Sequence, residues 1–308
     1  MGAGWVAGVT RARAMAAGRA GPDTVRRVAA APSLTEALRA LARTPYRRGL
    51  DVHADAAAAG HAVSGALIWQ LRVLAGWQPR PGSTAVRALA ADFEIDNTRA
   101  HLLALTGAPQ PPPHPLGALS TAWPRLARAG TAAEVRAVLA TSRWGDPGTQ
   151  SPAAMITAMR LSASARTAVV CPPAARWAAG DAALLAARQI FLSGRPPTGP
   201  AARHAAVLLG PHTVRATDFD TFRARLPAAA RWVLDGIERP DDLWRAEARR
   251  WSCVERDGQR LLGAARQDLA TVVGAVAVLR ADAWRVRAAL AGAAHGGRAR
   301  EAFDELLG

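Results

Sequence analysis

One phrase, written twice, constrains this chain more than any other feature of it. Ser33-Leu-Thr-Glu36 opens the first copy as a capping box, in which a serine oxygen and a glutamate satisfy amides left free at a helix start. Ala37, Leu38, Leu41 and Ala42 then fall on one helical face, and Pro45 ends the helix at Thr44. The second copy begins at Thr131-Ala-Ala-Glu134 and keeps a constant offset: Ser33 matches Thr131, Glu36 matches Glu134, Leu41 matches Leu139, Thr44 matches Ser142 and Tyr46 matches Trp144. Upstream, Arg27-Val28-Ala29 matches Arg125-Leu126-Ala127 in the same register. A weaker third copy starts at Asp218-Phe-Asp-Thr221-Phe222, with Leu226 in the place of Leu41. The reading is one helical unit used three times. It predicts an all-α fold of three pseudo-repeated lobes, 1–113, 114–215 and 216–308, with Ser33, Thr131 and Asp218 each at a helix start.

The composition agrees with an all-α chain. Half the residues are hydrophobic, alanine supplies much of that half, and alanine and arginine are good helix formers. Only short pieces such as Thr167-Ala-Val-Val-Cys171 compete as strands. The formal net charge is +15, and all 39 basic residues are arginine. Such a surplus points to nucleic acid or an anionic membrane surface. The competing reading is compositional drift, because the arginines are spread along the helices rather than gathered in a basic tail.

The missing lysine excludes several chemistries together. A phosphate-loop lysine, a pyridoxal Schiff base and the kinase strand lysine all need one. No Gly-x-Ser-x-Gly elbow occurs, and no glycine-rich loop follows a strand. The acidic pairs Asp218/Asp220 and Asp241/Asp242 follow turn residues and are read as helix caps rather than acid–base machinery. The seven histidines form no metal-ligand pattern: His53 and His61 are too far apart for a helical clip, and no HExxH occurs. The chain is therefore read as no enzyme, with no cofactor and no metal. Cys171 and Cys253 lack CxxC spacing and read as isolated small apolar side chains in a reducing compartment. The N-terminus reaches Arg11 too early for a signal peptide, and the run Ala56 to Leu71 falls short of the roughly 20 apolar residues a bilayer span needs. The expectation is a soluble, cytoplasmic chain.

Along the chain, residues 5–19 read as an opening helix and Ala54 to Trp77 as a long one with Leu67, Ile68, Leu71 and Leu74 on one stripe. Gln78 to Gly82 reads as a loop, with Ser83 capping a helix from Thr84 to Phe93. The proline-rich Ala108 to Pro115 is the clearest boundary, a stiff connector. Ser193 to Pro200 is a looser break, and the chain ends in the acidic Glu301-Ala-Phe-Asp304-Glu305. A second informative phrase, Glu94-Ile-Asp-Asn97-Thr-Arg99, is echoed by Asp282-Ala-Trp284-Arg285 at nearly the offset of the third capping copy. Glu94 and Arg99 read as a polar pair bracing a lobe. The ten tryptophans, against one tyrosine, read mainly as core anchors, and the remainder as partner surfaces.

Taken in order, Trp5-Val-Ala-Gly-Val-Thr-Arg11-Ala-Arg13-Ala-Met15, Leu41-Ala-Arg-Thr44-Pro-Tyr46 and Glu94-Ile-Asp-Asn97-Thr-Arg99 resemble the C-subunit family of the V/A-type (vacuolar/archaeal-type) rotary ATPases, equivalent to the d-subunit of eukaryotic vacuolar pumps. The likeness runs through the first lobe, continues through Pro115-Leu-Gly117 and Thr131 to Trp144, and fades in the last lobe. It implies three helical lobes closed into a funnel. It implies a non-catalytic role coupling the central-stalk shaft to the membrane rotor ring during ion or proton transport. It also implies a peripheral place on the cytoplasmic face, with weak attraction to the anionic membrane surface. Arg11, Arg13, Tyr46, Glu94, Asn97 and Arg99 are the residues that carry over, as structural or interface positions. Departures from the family pattern are tryptophans where it has tyrosines, the absent lysines, and Arg285 in place of the asparagine in the third copy. The alternative is an arginine-rich helical nucleic-acid-binding protein, whose binding weakens steeply with salt.

Overall fold

The computed structural model describes residues 3–294, and among these every regular element is helical. The acidic end at Glu301, Asp304 and Glu305 lies outside the described residues. In chain order the helices are α1 (Val6–Ala17), α2 (Gly21–Ala29), α3 (Leu34–Leu41), α4 (Ala56–Gly76), α5 (Arg80–Leu89), α6 (Ala91–Ala104), α7 (Trp123–Leu126) and α8 (Ala132–Ala140). They continue with α9 (Pro152–Val170), α10 (Ala175–Ala187), α11 (Gly199–Leu209), α12 (Pro211–Val214), α13 (Phe219–Arg225), α14 (Ala228–Arg231), α15 (Leu243–Gly263) and α16 (Leu269–Ala294). The all-α expectation is met.

The chain divides into two compact units. One comprises the chain up to Val86 together with the chain from Trp251 onward, and the other is Arg87–Arg250. This division follows neither the 113/114 nor the 215/216 boundary of the sequence repeat. Repeats and compact units are two different partitions of the same chain.

In the first unit, α1, α2 and α4 pack on α16. Val272, Val276, Leu279, Val286 and Leu290 of α16 are all buried, as are alanines on its other sides. Its first half, Leu269 to Leu279, carries only Thr271 among apolar residues and glycine, and a stretch apolar on all sides belongs inside. Alanine and glycine on α16 also let neighbours approach closely. At the crossing with the end of α15, a Cβ on Gly274 would lie 2.6 Å from the Gly258 carbonyl oxygen, so only glycine fits there. The helices around α16 are amphipathic as predicted: α3 buries Ala37, Leu38 and Leu41, and α4 buries Leu67, Ile68, Leu71 and Leu74. Asp55 starts α4 by accepting the Ala58 amide at 2.8 Å.

In the second unit α9 serves two hydrophobic clusters from different faces. Met155, Ile156, Met159 and Ala163 join Ile95, Leu126, Leu139 and Trp144. Ala158 and Leu161 join a cluster containing Leu184, Leu209, Phe219, Phe222 and Ile237. Phe191 meets Phe219 and Phe222 edge to face, with ring centres 5.4 and 5.5 Å away.

One local expectation is corrected. Ser83 is no cap: α5 starts at Arg80, and Ser83 Oγ donates to Arg80 O at 3.1 Å inside the helix. Pro81 misled because proline is tolerated in a first turn, where its missing N–H has no helical partner. Thr167 to Val170 is the last turn of α9, with no competing strand. The proline-rich Ala108 to Pro115 carries no helix, as expected, but lies inside the second unit rather than at its edge.

Candidate functional site

The repeated phrase folds into a repeated piece of geometry. Ser33, Thr131 and Asp218 are N-caps with nearly the same backbone angles, (−148°, 157°), (−140°, 158°) and (−130°, 159°). Each side chain accepts the amide three residues on, at 3.3, 3.2 and 2.8 Å respectively. The ends of α3 and α8 repeat as well. Thr44 Oγ1 donates to Leu41 O and accepts the Tyr46 amide, at 2.7 and 3.2 Å. Ser142 Oγ donates to Leu139 O and accepts the Trp144 amide, at 2.8 and 3.1 Å. One hydroxyl therefore closes each helix and aims the aromatic residue two positions later.

The two aromatics meet equivalent carboxylates. Tyr46 OH donates to Asp282 Oδ2 at 2.8 Å in the first unit, and Trp144 Nε1 donates to Glu94 Oε1 at 3.1 Å in the second. Asp282 also accepts the Ala20 and Gly21 amides at 3.1 and 2.8 Å, where α2 begins. Glu94 accepts the Thr121 and Ala122 amides at 2.5 and 2.6 Å, where α7 begins. Each carboxylate thus clamps the start of one helix and the aromatic beyond the next. A negative group is favoured there, because free amides and the helix dipole both point at it. Burial raises the Asp282 carboxyl above its ordinary range, against the lowering effect of Tyr46, the two amides and Arg19. Burial, together with the Asp282 charge, likewise pushes the Tyr46 phenol well above its usual value.

The third copy keeps the cap and loses the clamp. Arg231 stands at the register position of Tyr46 and donates to Leu226 O at 3.0 Å, and the aromatic is the next residue. Trp232 Nε1 donates to the Ala229 and Arg176 carbonyls, and its ring lies where a Cβ on Gly180 would be, at 2.7 Å. The neighbouring Asp181 is taken instead by Arg250, whose Nη2 donates to Oδ2 at 2.7 Å and whose Nε donates to Oδ1. Burial works against the charge on Arg250, but Asp181, with Asp92 and Glu247, together outweighs it and the guanidinium is held above its usual range.

Of the residues singled out in the sequence, Tyr46, Glu94 and Asn97 are buried and Arg11 and Arg99 exposed. Asn97 exchanges two hydrogen bonds with the His114 backbone, Nδ2 to O at 3.0 Å and N to Oδ1 at 2.8 Å, and so pins the proline-rich segment. Arg13 donates to the Ala264 and Arg266 carbonyls at 2.8 and 3.1 Å, just past the end of α15. Arg11 lies over the Trp77 ring at 5.6 Å. The expected Glu94–Arg99 brace does not form. Arg99 approaches Asp96 at 3.8 Å on the surface, because residues three apart share a helix face whereas Glu94 points inward.

Sequence reasoning missed the partners of these groups. It registered Asp282 as an echo of Glu94 without linking it to Tyr46. It passed over the Arg285–Glu255 and Arg250–Asp181 pairs, for which sequence carries no spacing signal. Trp251 and Trp284 stack with ring centres 6.0 Å apart, and Arg280 lies over Trp251. Cys171 is buried and its thiol pushed up to about 12 by that burial. Among the described residues no helix is long and apolar enough to cross a membrane, and no three His, Cys, Asp or Glu side chains gather as a metal site.

Compared with models of known protein families and with curated proteins, the chain matches none of them.

Proposed function

We propose that this chain is the non-catalytic coupling component of a V/A-type rotary ATPase, joining the central-stalk shaft to the membrane rotor ring. The observation that carries the reading is the recurrence of the clamp. In the first two copies of the repeat the cap, the closing hydroxyl, the aromatic and its carboxylate recur together. A body made of like lobes, braced by buried hydrogen bonds, suits a part that passes torque. The clamp carboxylates are consumed by structure, and no lysine is present for nucleotide chemistry. In this role the protein is peripheral on the cytoplasmic face, held by its protein partners and only weakly attracted to the anionic membrane surface.

Purification of the tagged chain from detergent-solubilised membranes of its native host tests the role. Stoichiometric recovery of rotary ATPase shaft and ring proteins is expected. Recovery of nucleic acid without those proteins would transfer the reading to an arginine-rich nucleic-acid binder. The isolated chain is further expected neither to bind ATP tightly nor to turn it over, which calorimetry and a phosphate-release assay check.

A further inference from the structure

The second unit gathers three arginines around its clamp. Arg166, on α9, lays its guanidinium carbon 4.9 Å from the centre of the Trp144 ring. Arg143 directly precedes Trp144 in the chain. Arg87, near the end of α5, donates from Nε to Ala118 O at 3.0 Å, in the segment whose next amides bind Glu94. The three are close enough that, beyond the effect of burial, Arg143 and Arg87 disfavour the charge on Arg166. Glu94 is the acid that acts on Arg166, and both its oxygens are already engaged by two amides and the Trp144 indole. Among the described residues none of the three arginines makes a salt bridge with a carboxylate, and Arg166 Nη1 is shut off from water with no acceptor.

Arg87 and Arg143 reach solvent, but Arg166 has a nitrogen sealed from water beside a carboxylate already engaged, and enclosing charge without a partner is costly. In the first unit the arginine beside the clamp, Arg19, donates to Ala16 O at 3.0 Å and likewise keeps a buried Nε without an acceptor. There Arg285, which stands in the Asn97 position of the repeat, pairs with a second carboxylate, Glu255. The second unit offers Arg166 no equivalent.

We infer that Arg87, Arg143 and Arg166 form a binding site for a tetrahedral oxyanion of the phosphate class. Guanidinium forks match phosphate oxygens two at a time, and arginine is the side chain best suited to that geometry. The Trp144 face holds the Arg166 plane in place, which reduces the ordering cost of binding. A phosphate oxygen supplies the acceptor that Nη1 lacks after a small rotation of the guanidinium on the ring. The phosphate is free in solution or carried on a lipid headgroup, and the same three arginines read either. Binding here involves no partner protein, so it stands or falls separately from the coupling role.

The test is titration calorimetry of the full chain with inorganic phosphate, at an ionic strength fixed with sodium chloride. In parallel, co-sedimentation uses phosphatidylcholine vesicles containing phosphatidic acid. Saturable phosphate binding is expected, with Arg166→Gln and Arg143→Gln each weakening it about tenfold, the loss typical of a charge-assisted hydrogen bond. Arg128→Gln, at an exposed arginine outside the cluster, is expected to leave the affinity unchanged. Arg143 is itself exposed, so its variant keeps the test open should Arg166→Gln misfold; circular dichroism checks both. Arginine-dependent binding to vesicles without binding to free phosphate assigns the site to a headgroup, and the reverse assigns it to a soluble anion. The inference is overturned if neither probe binds saturably, or if binding is indifferent to both Arg166→Gln and Arg143→Gln.

Discussion

Glu94 and Asp282 show how one buried carboxylate organises a neighbourhood. Each accepts two amides at a helix start and the polar tip of an aromatic ring, so removing it strands three donors, each buried or partly buried. Leaving a buried donor unpaired costs about 1–3 kcal/mol. Glu94→Ala is therefore expected to destabilise the chain by about 3–5 kcal/mol in urea unfolding, and Glu94→Gln, which keeps one acceptor oxygen, by about 1–2 kcal/mol. Asp282 adds a pH signature. Its carboxyl is raised by burial, so the folded chain holds this proton over an interval in which the unfolded chain has lost it. The stabilising effect is full below the ordinary aspartate value and declines as pH rises through the raised one. Unfolding free energies of the native chain relative to Asp282→Asn should accordingly fall across that interval; a flat difference would refute the assignment. The matching of Tyr46 to Trp144 and of Thr44 to Ser142 was legible in the sequence, because repetition preserves spacing. The carboxylate that each aromatic meets was not legible, since Asp282 reaches Tyr46 only through the packing of α16.

At the scale of elements, caps and stripes were readable and close approaches were not. Ser33, Thr131 and Asp218 start helices because a short polar side chain before an apolar stripe is a local signal. The start of α5 escaped because Pro79, Pro81 and Gly82 read as loop residues. Gly82 is there for a tertiary reason: a Cβ would meet Gln78 Cβ at 2.9 Å and the Trp5 ring at 3.1 Å. The same contrast gives substitutions of opposite sign. Gly274→Ala places a methyl against the backbone of α15, and overpacking of that kind is expected to cost about 1–3 kcal/mol. Gly65→Ala, within α4, meets nothing within 4 Å and is expected to stabilise by about 0.5–1 kcal/mol through helix propensity alone. Thermal unfolding of the two variants beside the native chain checks both; a Gly274→Ala chain as stable as the native one would mean that the α15–α16 crossing has room for a methyl.

At the scale of the whole molecule the question is what the +15 charge does. Much of the arginine is already committed within each unit. Arg11, Arg48, Arg176, Arg245 and Arg280 lie over tryptophan rings, and Arg13, Arg231 and Arg249 donate to backbone carbonyls. These contacts leave the charge in place while fixing the side chains, and they occur in both units. An arginine near an anionic bilayer contributes about 1 kcal/mol, and only within a Debye length of about 8 Å at physiological salt. Exposed Trp69 and Trp77 offer apolar contact at single points, too little to anchor the chain by themselves. The expected outcome is weak binding to vesicles rich in phosphatidylglycerol at low salt, almost complete release near physiological salt, and none to neutral phosphatidylcholine. Co-sedimentation across a salt series measures this directly. Retention on neutral vesicles at high salt would require an inserted segment, which no helix among the described residues supplies. Equal, weak retention on both vesicle types at low salt would make the arginine surplus a matter of composition, without a role at membranes.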